Sequence, residues 1–195
     1  MPDPSTQPLA NFSQPFVGDV QAGMQFRLIV REYGIKTIIE TGTFQGLTTR
    51  FLASIAPHVV TIEIDPKVDS SHLSQVPNVQ KLLMPSPEGI RQAVTLAPPP
   101  YLFYLDAHWE PPTPTPHELD VIASLGLKPV IVIHDFKVPS HPELGFDSYS
   151  DWTNDIEHVE PHLKKIYGED NYLLAYNNPA PTVTRGILYV APAPE

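Results

Sequence analysis

The chain of 195 residues has no cysteine, which excludes a disulfide scaffold, a thiolate-bound metal and a thiol nucleophile. No apolar run approaches the roughly 18 residues of a membrane span. The N-terminus lacks the basic-then-apolar layout of a signal peptide. Positive charge is scarce: 12 Lys and Arg stand against 22 Asp and Glu, a net charge of −10. That balance argues against nucleic acid or an anionic membrane as the partner. The expectation is a soluble, cytoplasmic protein that acts on a small molecule, and a homo-oligomer is compatible with it.

Proline is what the chain has in excess. There are 24 in 195 residues, more than twice the usual share of ~5%. They cluster in the first 16 residues, at Pro98-Pro99-Pro100, from Pro111 to Pro116, and at Pro192 and Pro194. Proline fixes φ and removes a backbone donor, so these stretches read as extended ends and stiff loops. The expected organisation is an extended segment over 1–16, one domain over 17–191 and a tail over 192–195.

Between the prolines, apolar patterns alternate. Asp19 to Tyr33 carries Val20, Met24, Leu28 and Ile29 at helical spacing. Further helices are expected over 45–56, 87–96, 116–125 and 152–167, the last disturbed at Pro161. Short β-branched or continuously apolar runs at 36–40, 59–64, 79–83, 101–105, 130–133, 172–176 and 187–190 read as strands. Strands that lack polar alternation and are separated by helices imply a parallel sheet covered on both faces. The last two are joined by a segment too short for a helical crossover and should pair antiparallel. In such an open sheet, ligands bind beyond the carboxyl ends of the strands.

Four strand ends carry chemistry, in three features. The first runs into Glu40-Thr-Gly-Thr-Phe-Gln-Gly46, where Gly42 permits a sharp turn close to a ligand and Gly46 permits close packing of a helix start. This is not the G-x-G-x-x-G phosphate fingerprint, and the Glu40 carboxylate disfavours pyrophosphate. The second ends in Glu63-Ile-Asp65, where a carboxylate about 20 residues beyond the glycine turn suits ribose hydroxyls. Together these features indicate a nucleoside-containing cofactor. The third feature spans two strands, which end in Asp106-Ala-His108-Trp109 and His134-Asp135. On adjacent parallel strands these groups meet at one rim and form a candidate metal site. Carboxylates suit Mg²⁺, Mn²⁺ or Ca²⁺, whereas imidazole shifts preference toward Mn, Fe, Ni or Zn. His108 is also a candidate base, since imidazole titrates near neutral pH. The long loop 137–150 and Trp152 offer His141, Phe146 and Tyr149 as a substrate wall or as loop anchors. The stretch 110–116 would face them.

The segment Val17-Gly-Asp-Val through Met24, Arg31-Glu-Tyr33, Glu40-Thr-Gly, Gly46, Arg50 and Ala53 resembles the opening of the metal-dependent catechol O-methyltransferase family. Thr61-Ile-Glu-Ile-Asp-Pro66 resembles that family's ribose-binding strand end. The resemblance covers roughly residues 17–140. It implies the Rossmann-like fold of class I S-adenosylmethionine (SAM) methyltransferases: α/β, seven strands, mostly parallel, with an antiparallel C-terminal hairpin and helices on both faces. It implies that Glu40, Gly42, Phe44 and Thr48, with Thr43 and Gly46 of the same turn, border the methionine part of SAM. Glu63 would hold the ribose, Ile64 and Ser86 would meet adenine, and Asp106 would lie beside the cofactor. Asp106, His134 and Asp135 would hold a divalent ion, Mg²⁺ or Mn²⁺. The chain departs from the family in two ways: an alanine is inserted before His108, and no lysine base follows Trp109. The implied activity is metal-assisted methyl transfer to a hydroxyl of a diol, phenol, sugar or natural product. Two alternatives remain open at this point: hydrolytic or oxidative chemistry at the Asp/His cluster, or SAM or nucleoside binding without catalysis.

Overall fold

In a computed structural model, residues 11, 13–108 and 111–194 are described. Trp109, Glu110 and most of the N-terminal proline-rich segment therefore lie outside the described residues. The elements run α1 (Val20–Glu32), β1 (Thr37–Thr41), α2 (Leu47–Ala53), β2 (His58–Glu63), β3 (Val79–Leu83), α3 (Ser86–Leu96), β4 (Tyr101–Leu105), α4 (Pro114–Ser124), β5 (Val130–His134), α5 (Ile156–Tyr167), β6 (Tyr172–Tyr176) and β7 (Ile187–Pro192). They form one seven-stranded sheet in the order β3-β2-β1-β4-β5-β7-β6. The first five are mutually parallel, and β7 pairs antiparallel with both β5 and β6. This is the seven-stranded, mostly parallel sheet with an antiparallel C-terminal hairpin that the resemblance implied. Its order reverses between β1 and β4, where a crevice opens beyond the strand ends.

Side chains alternate across the sheet, so each strand feeds two cores. Ile39, Ile62, Phe103 and Ile133 pack under α3, α4 and α5. Ile38, Val59, Leu102 and Val132 pack against Phe26 and Leu52 of α1 and α2. β1, β4 and β5 are buried along their full length, which explains their lack of polar alternation. Truncating the fully buried Phe103 to alanine would cost about 3–5 kcal/mol.

The helix α1 forms where its apolar spacing places it, capped by the Asp19 carboxylate, which accepts the Ala22 N–H at 2.9 Å. It turns a different face inward. Ala22, Gly23 and Phe26 are buried, whereas Val20, Met24 and Leu28 are exposed. The small Gly23 lets the helix approach Phe51, which a Cβ there would meet at 3.2 Å. Phe26 stacks on Phe16 at 4.9 Å and meets Tyr104 edge-on. Phe16 closes the proline-rich segment and is itself buried in the core. α5 starts later than its apolar pattern suggests, because Asp155 caps it at His158. It continues through Pro161.

Candidate functional site

Beyond the ends of β1, β2, β4 and β5 lies a cavity of about 1210 Å³. Its walls include Gly42, Phe44, Glu63, Ile64, Ser86, Asp106, His108, His134 and Asp135. Nine of the residues singled out in the sequence thus meet in one space. Glu40, Thr43, Gly46 and Thr48 do not line it. Glu40 lies beneath the β1 end, fully buried, and accepts hydrogen bonds from the Thr49 and Thr61 hydroxyls at 2.5 and 2.7 Å. Burial pushes its carboxyl up to about 8, against those two bonds. Thr43 pairs with the Thr61 hydroxyl, and the Thr48 hydroxyl accepts the Phe16 N–H.

The glycine turn is shaped by the protein itself. Gly42, at φ +83°, abuts the end of β4: a Cβ there would lie 2.5 Å from the Asp106 carbonyl. What approaches Gly42 closely is the backbone of Asp106 and Ala107. At Gly46, φ +71°, a Cβ would meet Leu73. Glu63 joins the turn to β2. Its carboxylate accepts N–H bonds from Phe44 at 2.9 Å, Ile64 at 2.9 Å and Asp65 at 3.0 Å. A carboxylate has about four acceptor positions, so roughly one remains for a hydroxyl donor. Ser86 begins α3, with Pro85 at its cap and Pro87 in its first turn, where a missing N–H costs nothing. Ile62, Ile64, Val68 and Met84 make this end of the cavity apolar.

At the other end, four ligand-type side chains converge: one ligand atom from each of Asp106, His108, His134 and Asp135 lies within 4.8 Å of the others. His134 Nδ1 is 3.0 Å from Asp106 Oδ1, and His108 Nε2 is 3.2 Å from that oxygen and 3.0 Å from Asp135 Oδ2. Asp106 Oδ1 and His134 Nδ1 are buried and make no hydrogen bond. Buried polar atoms are normally paired, so two orphans facing each other need a reason. Neighbouring ligands on an octahedral ion with bonds of about 2.1 Å stand about 3.0 Å apart, which matches these spacings. The remaining Asp106 oxygen accepts the Tyr104 hydroxyl at 2.9 Å. Asp135 sits at φ +54°, a conformation that costs a non-glycine residue about 1–3 kcal/mol and that is found at functional sites.

Two residues that the sequence reading passed over complete the cluster. Arg185, between β6 and β7, donates to Asp135 and to Asp147. Asp147, in the loop after β5, accepts from His108 Nδ1 at 2.6 Å and from the Tyr149 hydroxyl at 2.7 Å. Three carboxylates and one guanidinium carry −2; without an ion two protonated imidazoles balance it, and a divalent cation that displaced those protons would balance it equally. Burial lowers the pKa of His108, but Asp106 and Asp147 outweigh it and lift it to about 10. His134 is raised in the same way: burial opposes, and Asp135 and Asp106 prevail. The donor set, its charge and the orphaned atoms all fit a divalent ion.

Of the two readings of the aromatic loop residues, the structure does not give a cavity wall. Trp152 packs on His158 and His162 of α5, and Lys137 lies over Phe146. Neither Trp152 nor His141, Phe146 and Tyr149 lines the cavity; Trp152 ties the loop to α5 and Tyr149 fixes Asp147. Pro112 and Pro114 do form a wall.

No family model matches the chain, and no curated protein matches it. Solved structures do. An O-methyltransferase from Bacillus cereus in complex with SAH superposes with a TM-score of 0.63 at 18% identity, over 89% of this chain and 81% of the other. The O-methyltransferase TomG from Streptomyces achromogenes, involved in tomaymycin synthesis and bound to SAM, gives 0.61 at 17%, over 90% and 81%. An rRNA methylase from Streptococcus thermophilus gives 0.56 at 14%, over 89% and 95%. The chain thus has the class I methyltransferase fold.

Proposed function

We propose that this protein transfers a methyl group from SAM to a hydroxyl oxygen of a small molecule, assisted by a divalent ion. The observation that carries the reading is the single cavity shared by Glu63 and Ile64 at one end and Asp106, His134 and Asp135 at the other. The fold and its SAM- and SAH-bound neighbours support the cofactor. Six carboxylates among the cavity-lining residues, with only Arg91 and Arg185 against them, suit a cofactor that carries a sulfonium cation and oppose RNA.

In this reading, Glu63 offers its remaining acceptor position to a ribose hydroxyl, and Ile64, Met84 and Ser86 receive the base. Phe44 and Asp106 border the methyl-bearing end. Asp106, His134 and Asp135 would hold the ion. Bound SAM supplies an activated methyl, which leaves sulfur as a thioether when an oxygen takes it. An ion held there would act as a Lewis acid that lowers the pKa of a substrate hydroxyl. The protein's contribution is alignment of that oxygen with the methyl, for which effective molarities are large.

The test is transfer of label from methyl-tritiated SAM to a panel of vicinal diols, phenols and sugars, with and without chelator. Ion-dependent labelling of an oxygen is expected. Labelling of rRNA with none on small hydroxyls would overturn the small-molecule assignment. The second imidazole in the cluster also favours one other reading, oxidative metal chemistry on the same fold. Absence of SAM binding would favour it.

A further inference from the structure

The reading above leaves His108 without a role, and both of its ring nitrogens are engaged. Nδ1 is held by Asp147 at 2.6 Å, and Nε2 points between Asp106 and Asp135 at 3.2 and 3.0 Å. No ring nitrogen is left to take a proton from a substrate. A metal-bound imidazole has this arrangement: one nitrogen on the ion, the other donating its N–H to a carboxylate that fixes tautomer and ring orientation.

We propose that His108 is a fourth ligand, through Nε2, and that Asp147 is its positioning residue. The inference rests on the metal-assisted reading and narrows it. Two imidazoles and two carboxylates form a mixed nitrogen and oxygen set, which selects a first-row transition ion over Mg²⁺ or Ca²⁺.

The chain builds this support from three distant segments. The Asp147 N–H donates to the Asp135 carbonyl at 2.9 Å, which folds the loop back onto the end of β5. Gly145 and Gly186 tie that loop to the β7 hairpin: the Gly145 N–H donates to the Thr184 carbonyl, and the Gly186 N–H donates to the Gly145 carbonyl. Arg185 is thereby brought between Asp135 and Asp147 and pairs with one oxygen of each. Those bonds leave Asp135 Oδ2 facing the cluster and Asp147 Oδ2 facing His108. Tyr149 donates to that same Asp147 oxygen and fixes it further. The independent sign that the cluster takes a cation is His134. It is 5% exposed, and its Nδ1 has no hydrogen bond although it faces Asp106 Oδ1 at 3.0 Å.

The inserted Ala107 that separates this chain from the resembled family acquires a meaning here. Residues 106 and 108 are two apart, and the side chains of both reach the same point. The missing lysine after Trp109 is consistent with a site whose fourth group binds the ion.

The test uses the full chain stripped with chelator and titrated with Co²⁺ and, separately, Mg²⁺, without SAM. Calorimetry gives affinity, and the visible absorption of bound Co²⁺ reports its ligands. Wild type should bind Co²⁺ at least about 100-fold more tightly than Mg²⁺. His108→Ala should weaken Co²⁺ and alter its visible band. Asp147→Ala should weaken it about 10–100-fold, and Asp147→Asn less, since the amide oxygen still accepts the Nδ1 proton. As a check that needs no variant, hyperfine spectroscopy of wild type loaded with Mn²⁺ should show two nitrogen ligands. Unchanged affinity and band in His108→Ala, or a single nitrogen, overturns the inference. If Asp106→Asn abolishes Co²⁺ binding while His108→Ala does not, the ion stays and only this inference falls. If wild type binds neither ion, the metal-assisted reading falls with it. SAM binding is measured separately and decides the methyltransferase reading on its own.

Discussion

The backbone N–H of Phe44 donates to the carboxylate of Glu63 at 2.9 Å, across the gap between the β1 turn and the end of β2. One side chain thus shapes this end of the cavity and lines it. Because three N–H groups share this carboxylate, its loss has two effects. Glu63→Gln should weaken SAM by about 1.5–3 kcal/mol, the range for a hydrogen bond to a charged group. It should also lower the melting temperature, since the amide turns donors toward donors. Calorimetry and thermal melts read the two separately. Unchanged SAM affinity in the variant would remove Glu63 from the cofactor site.

Gly42→Ala would drive a methyl into the Asp106 carbonyl at a backbone φ of +83°. A loss of at least about 1–3 kcal/mol of stability is expected from the backbone term alone. Because Asp106 would be displaced, ion affinity should fall as well. A wild-type melt and wild-type ion binding would show that the turn has room that the structure does not give it.

Glu40 makes stability depend on pH. Burial lifts its carboxyl to about 8 from 4.5, although Thr49 and Thr61 favour the ionised form. An acid raised in the folded state supports the fold while protonated. Its contribution is full below about pH 4.5 and is lost as pH rises through 8. Glu40→Gln should therefore gain on wild type between pH 5 and pH 8, by about 2–4 °C for each kcal/mol in a chain of this size. Parallel melting curves with pH would show that Glu40 is already ionised in the fold.

Much of the fold was legible because β1, β4 and β5 are buried on both faces and read as unbroken apolar runs. The antiparallel closing hairpin followed from its short connection. The inward face of α1 was not legible. Val20, Met24 and Leu28 have helical spacing, yet Gly23 and Phe26 face the core, because close approach to Phe51 and stacking on Phe16 decide the rotation. In the site, Asp106, His134 and Asp135 stood out as polar groups at the ends of apolar strands. Arg185 and Asp147 sit in loops 38 residues apart, and no local pattern marks them. Only the sheet order, which sets β7 beside β5, brings them together. Glu40 looked like a cofactor contact because it ends a strand, but the strand continues to Thr41 and turns the carboxylate under the sheet.

Asp106→Asn separates the two halves of the cavity. The ion should be lost, because the variant removes the charge that faces both imidazoles. SAM affinity should stay near wild type, because the proposed cofactor site lies over β1 and β2. Equal loss of both would mean that Asp106 holds the cofactor directly.

Binding of SAM in this cavity is read by calorimetric titration of the wild-type chain. A saturable heat at one site per chain is expected, with an affinity in the micromolar range, about −8 kcal/mol, that Glu63→Gln weakens. No heat and no rise in melting temperature at millimolar SAM, with the protein folded and loaded with Co²⁺, would contradict it.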